Sequence, residues 1–220
     1  MMVLPPDPTL DELRDALAPL VAANAAFDGW NARAVDAAAD TLGVDRPVAQ
    51  LAFADGPVAM IDAWFASIDA AMTERQPGEK LAAMKIRERI TALVEARLEQ
   101  LAPNREALRR TMALLAMPQN LRRAAELGWR AADAMWRAAG DTATDYNHYT
   151  KRAILAGVYA ATTTVFVNDE SDGWADTRAF LGRRIDGIMR FEKTKARLLG
   201  RTSHRPSLSR FLGRLRYPAV

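Results

Sequence analysis

The chain has 220 residues, half of them hydrophobic and 26% charged, which supplies one ordinary domain with a substantial core and excludes a wholly disordered chain. The lack of cysteine excludes disulfides, thiolate metal sites, iron–sulfur clusters and cysteine nucleophiles, and two histidines leave little material for zinc or iron. The formal charge of +3 is unevenly placed: residues 190–220 hold nine Lys/Arg against one acid, so they carry +8 and residues 1–189 carry −5.

The start, MMVLPPDPTLDELRDAL, has acids and prolines where a secretion signal has a basic start and an apolar run, so a cytoplasmic start is expected. Asp7 or Thr9 can cap a first helix to about Ala26, with Asp11 and Glu12 in its first turn, and Asp28-Gly29 ends it. Ala34, Val35, Ala38 and Leu42 share one face of a second helix over 31–42, stopped by Gly43. Short helices over 47–53 and 57–73 complete a section resembling a helix-turn-helix unit.

After Gln76-Pro77-Gly78 the spacing predicts a long helix over 79–101, ended by Pro103. Asn104 is expected to cap a helix to Met117 and Asn120 one to Ala139. Helices over 146–167 and 174–199 follow, separated by the loop Asn168 to Gly173. The uncharged run Ala153 to Val167 falls short of the roughly 20 residues that span a bilayer and reads as a buried helix. No period-two strand pattern is present, so the chain reads as all-α.

Residues 201–206 read as a basic linker. Ser207 can cap a final helix with Leu208, Phe211, Leu212 and Leu215 on one stripe and Arg210, Arg214 and Arg216 around it. This pattern suits an anionic membrane surface; the alternative is a helix that caps the core or a dimer seam.

The helix-turn-helix section carries the wrong charge for DNA. Residues 30–56 hold Arg33 and Arg46 against Asp36, Asp40, Asp45 and Asp55, a net −2, whereas DNA affinity comes largely from neutralised phosphates. Catalytic sets are also missing: there is no G-x-S-x-G, no phosphate-cradling glycine loop and no dinucleotide fingerprint. His148 lies three residues after Asp145, and its plain reading is a surface or helix-start histidine. Asp133 sits on an Ala- and Met-rich helix, where the common explanation is an ion pair with Arg152 or Lys151. Several helices carry apolar faces rich in Met and Ala; these read as plain core or as the wall of an adaptable apolar tunnel.

From Asp133 to Tyr159 and on either side, ADAMWRAAGDTATDYNHYTKRAILAGVYAATT resembles the signature of the ubiquinone-biosynthesis accessory protein family, the ninth coenzyme Q protein and its bacterial relatives. Further matching positions are Gly29-Trp30, Ala37-Ala38, Leu42-Gly43, Lys85 to Arg87, Arg97 to Glu99, Leu115 to Asn120, Asp169 with Ser171, and Thr177 with Phe180-Leu181 and Arg184-Ile185. The likeness covers most of residues 25–190.

The resemblance implies an all-α fold of the TetR-regulator type, a homodimer and no enzymatic activity or cofactor. It also implies an apolar cavity for an isoprenoid quinone intermediate or other lipid, peripheral attachment to the inner membrane through the amphipathic helix, and delivery to a ubiquinone-pathway hydroxylase. The expected organisation is a helix-turn-helix-like section over 1–75, a lipid-binding bundle over 76–200 and a membrane-binding tail over 201–220. Lipid-binding residues are expected at Leu114, Met117, Leu121, Trp129, Met135, Leu155 and Tyr159. By position in the family's motif, Trp136, Asp145, His148 and Tyr149 take the hydroxylase-facing role, with His148 standing where the family pattern has Trp. Leu208, Arg210, Phe211, Leu212, Arg214 and Leu215 are the membrane-binding set. No nucleic acid and no metal are expected. The other readings are a ligand-responsive TetR-like regulator and, third, an enzyme with an unrecognised carboxylate site.

Overall fold

The computed structural model describes residues 5, 7–142 and 146–202, with side chains except those of 146–147 and 189–202. The chain forms two units, Met1–Leu181 and Gly182–Val220. Every α-helix named below lies among the described residues, and none of these residues is in a strand.

Helix α1 (Leu10–Asp28) starts at Thr9, whose hydroxyl accepts from the Glu12 amide while the Glu12 carboxylate accepts from the Thr9 amide. This reciprocal box satisfies two of the helix's orphan donors, and Thr9 rather than Asp7 is the cap. Leu13, Leu17, Val21 and Ala25 recur every four residues and bury one stripe. That stripe packs on α2 (Ala32–Leu42) and α4 (Pro57–Arg75). Helix α2 stops at Gly43, whose φ of 68° is the left-handed cap that glycine adopts without a Cβ penalty. Helix α3 (Arg46–Ala52) follows after a short turn, and the Arg14 guanidinium on α1 donates to its last carbonyl, Ala52, at 2.9 Å.

The expected long helix over 79–101 is two helices, α5 (Gly78–Ala82) and α6 (Ile86–Leu101). Lys85 is extended, and the Glu88 carboxylate accepts its amide at 3.0 Å, which restarts the helix. Arg89 holds the break by donating to the carbonyls of Ala82, Met84 and Ala139. Those acceptors are tertiary and local backbone groups, invisible to hydrophobic spacing. Ile90, Leu93, Val94, Leu98 and Leu101 form the buried face of α6, which packs on α4.

Helices α7 (Arg105–Leu115), α8 (Leu121–Ala138) and α9 (Tyr146–Phe166) fall where expected, but neither asparagine caps as predicted. Asn104 makes no side-chain cap bond, and the Asn120 amide reaches back to the Leu114 carbonyl at 2.8 Å. The preceding 3-10 turns already tie these helix starts to the chain before them. Arg105 and Arg109 on α7 donate to the carbonyls of Phe166, Val167 and Asp169 at the end of α9. The run from 153 to 167, expected as a buried helix, is buried on one face through Leu155, Val158, Phe166 and Val167, whereas Ala153, Gly157, Ala160 and Thr164 are exposed.

Helix α10 (Ala175–Thr202) runs two residues into the segment expected as linker. Its first turn is capped by buried Asp169, which accepts from the amides and hydroxyls of both Ser171 and Thr177. Burial raises the Asp169 carboxyl, but these four donors outweigh it and hold the group far below the ordinary carboxylate range.

No single described helix is long and apolar enough to cross a membrane. The bent pair α3 and α4 passes by length and composition together. Helix α4 turns Met60, Ile61, Trp64, Ile68 and Met72 inward, however, with Trp64 5.4 Å from Trp30.

Candidate functional site

The packed pair α8 and α9 carries most of the expected lipid- and partner-binding residues. Met135 and Leu155 are buried and belong to the core, and Asp133 meets Arg152 between the helices at 2.6 Å. Arg152, 2% exposed, also reaches Asp141 at 3.1 Å and the His148 carbonyl at 3.2 Å. Lys151 closes the cluster on Asp141 at 2.7 Å. Burial pushes the Asp141 carboxyl up, yet the hydrogen bonds from Lys151 and Arg152 leave it below the ordinary range. The ion pair of Asp133 with Arg152 was legible in the sequence; Asp141, in an undistinguished connection, was not.

This buried charge cluster fixes the first turns of α9, and with them an aromatic group at the surface. Tyr149 is 61% exposed, its ring 6.1 Å from Trp129 and 5.1 Å from half-buried His148. Trp129, expected on the lipid side, therefore stands with the residues expected to face a partner. Trp136 meets α9 two residues beyond Tyr149: its indole donates to the Lys151 carbonyl at 3.1 Å, and the Lys151 ammonium sits 5.3 Å over its ring. Asp145 and the tail residues Leu208, Arg210, Phe211, Leu212, Arg214 and Leu215 lie outside the described residues.

The remaining lipid-binding candidates are Leu114, Met117, Leu121 and Tyr159. Leu114 is half-buried, whereas Met117 and Leu121 are 47% and 55% exposed at the corner between α7 and α8. Tyr159 lies under the Arg97 guanidinium, 5.0 Å from ring centroid to charge. Arg97 is 1% exposed and pairs with Asp69, a buried pairing that sequence spacing on α6 did not reveal. Two open clefts flank α4 and α8, of about 420 and 540 Å³, and share Arg130. Asp62, Arg123 and Arg14 edge the first, and Asp69, Asp133 and Arg137 edge the second over an alanine floor. None of the expected lipid-lining residues borders either cleft.

At the helix-turn-helix, the polar side chains of α3 are already engaged. Arg46 forms a two-pronged pair with Asp40 at 2.8 and 2.7 Å, and the Gln50 amide donates to Asp36 at 2.6 Å. Both carboxylates come from α2, so the groups that would read bases or phosphates are turned onto the protein's own acids.

The COQ9 family model matches residues 121–192, which is α8, α9 and the greater part of α10. Over these helices the chain is similar to the COQ9 family. It is 34% identical over 172 residues to the mitochondrial ubiquinone biosynthesis protein COQ9 of Rattus norvegicus, an alignment covering 76% of this chain and 55% of that protein. The corresponding protein of Homo sapiens is 31% identical over 172 residues, covering 76% of this chain and 54% of its own. The chain thus spans about half the length of the curated relatives it matches. Its fold is that of a TetR regulator: the TetR transcriptional regulator from Nitrosomonas europaea superposes with a TM-score of 0.62 at 25% identity, covering 79% of this chain and 96% of that one. The matched stretch, 121–192, contains the cluster of Asp133, Asp141 and Arg152 and the exposed Tyr149, and the helix-turn-helix lies outside it.

Proposed function

We propose that this chain is a non-enzymatic, lipid-binding accessory protein of ubiquinone biosynthesis, which takes up a polyprenylated quinone intermediate at a membrane and presents it to a hydroxylase. The observation that carries the reading is the exposed Tyr149, held beside Trp129 by the buried Arg152 cluster within the stretch similar to COQ9. An aromatic ring standing open on a rigid charged foundation suits an anchor for a protein partner.

The physical need for such a protein is plain. A polyprenyl tail has no aqueous route to an active site, since each CH₂ left in water costs roughly 0.8 kcal/mol. The names of the relatives support the pathway, and the basic amphipathic pattern of residues 207–217 supports peripheral attachment to an inner membrane. In this reading the protein works as a homodimer and needs no cofactor.

The partner role is tested by co-purification of the hydroxylase with Tyr149→Ala and with the unaltered chain. Loss of the hydroxylase with unchanged lipid content supports the assignment. Retention of the hydroxylase, or loss of lipid and hydroxylase together, removes Tyr149 from the partner surface.

A further inference from the structure

We propose that the corner joining α7 to α8 is a second membrane contact, which seats Met117 and Leu121 in an anionic phospholipid surface independently of the basic tail. The proposal rests on the reading that this protein works at a membrane, and it concerns residues expected to line a lipid tunnel that instead stand open on the surface.

The corner is a built knuckle. Helix α7 ends at Leu115, the chain extends at Met117, turns through Pro118 to Asn120 and enters α8 at Leu121. Asn120 pins it twice at 2.8 Å, its amide nitrogen to the Met117 carbonyl and its side chain to the Leu114 carbonyl. Pro118 fixes a backbone angle and removes a donor. The fold thus holds two large apolar side chains out in water at a turn, where polar residues normally stand.

Its electrical surroundings select the partner. Residues 105–126 hold five arginines against Glu106 and Glu126, a net +3, whereas the remainder of residues 1–189 carries −8. Arg122, next to Leu121, has a side chain 92% exposed while it pairs with Glu126 at 3.0 Å; Arg109 and Arg110, farther back on α7, are partly exposed and both pair with Glu106. By sequence, the segment around the corner is basic within an otherwise acidic stretch of chain, and it carries the two exposed apolar side chains. Apolar side chains that insert, flanked by cations that meet headgroups, are the two terms of binding to an acidic bilayer.

The absence of native cysteine makes the test direct. Met117→Cys, Leu121→Cys and, as a control on α3, Leu51→Cys each take a nitroxide in the full chain, which is mixed with vesicles of phosphatidylcholine and phosphatidylglycerol. The expected result is a several-fold gain in oxygen contact and loss of contact with a water-soluble nickel chelate at 117 and 121, with none at 51. Labels at 117 and 121 as wet as that at 51 on vesicles carrying the protein would overturn the proposal and confine the contact to the tail. Failure of the protein to bind these vesicles would overturn it together with the membrane reading. Shielding that grows with protein concentration without vesicles would overturn it in favour of a contact between copies. In a second arm, Met117→Asp with Leu121→Asp is expected to lower partitioning onto the same vesicles several-fold with unchanged circular dichroism and hydroxylase co-purification; unchanged partitioning counts against the contact.

Discussion

Arg152 on α9 donates from Nε to the Asp133 carboxylate on α8 at 2.6 Å, and through Nη1 the same guanidinium reaches Asp141 at 3.1 Å. One planar cation thereby holds two carboxylates from different segments, which the point charge of a lysine does not reproduce. Arg152→Met is expected to destabilise the fold by about 3 kcal/mol, the low end for breaking a buried pair, because Arg137 and Lys151 still face the stranded acids. For a chain of this size that lowers the thermal midpoint by roughly 10 °C, with Arg152→Lys in between. A melting curve that Arg152→Met leaves in place would show that the cluster does not hold α8 to α9.

Acid should act in part through Asp169 and Asp141. Both carboxyls sit below their ordinary value when folded, so their contribution is complete above the unfolded value of about 4 and is lost as pH falls through the lower folded values. Urea titrations are expected to show stability declining as pH drops below about 4. Asp169→Asn should be less stable at neutral pH and lose less on acidification; parallel curves for the two chains would contradict the capping role.

DNA should bind poorly despite the fold. With Arg46 on Asp40 and Gln50 on Asp36, the α3 face offers a duplex few free donors and several carboxylates. Fluorescence anisotropy with random and genomic duplexes should find no sequence preference in physiological salt. A tight, selective complex whose affinity falls steeply with salt would favour a regulator instead.

The tail prediction rests on sequence alone. Leu208, Phe211 and Leu212 changed together to Ser should abolish most flotation with acidic liposomes while circular dichroism stays unchanged. Undiminished flotation would return this helix to a role within the protein itself.

The parts of this architecture that follow repeating local rules were readable in advance. The α2 face of Ala34, Val35 and Ala38, the Thr9 cap and the Gly43 stop depend on neighbours within a turn or two. Asp133 was readable as an ion pair because an acid among Ala, Met and Trp side chains needs a cation nearby. What could not be read depends on distant chain. The break between α5 and α6 is held by Arg89 on the Ala139 carbonyl, fifty positions away, and Arg97 looks like any surface arginine until α4 brings Asp69 to it. Exposure of Met117 and Leu121 was missed for a related reason: apolar identity signals burial on average, and only the packing of α7 against α8 decides these two.

Lipid content tests the proposed function most directly. Protein purified in mild conditions, extracted with organic solvent and examined by mass spectrometry, should yield a polyprenylated quinone intermediate, enriched over the lipid of a mock preparation. Protein of correct fold that carries no isoprenoid or other lipid, and takes up none from vesicles containing such an intermediate, would contradict it.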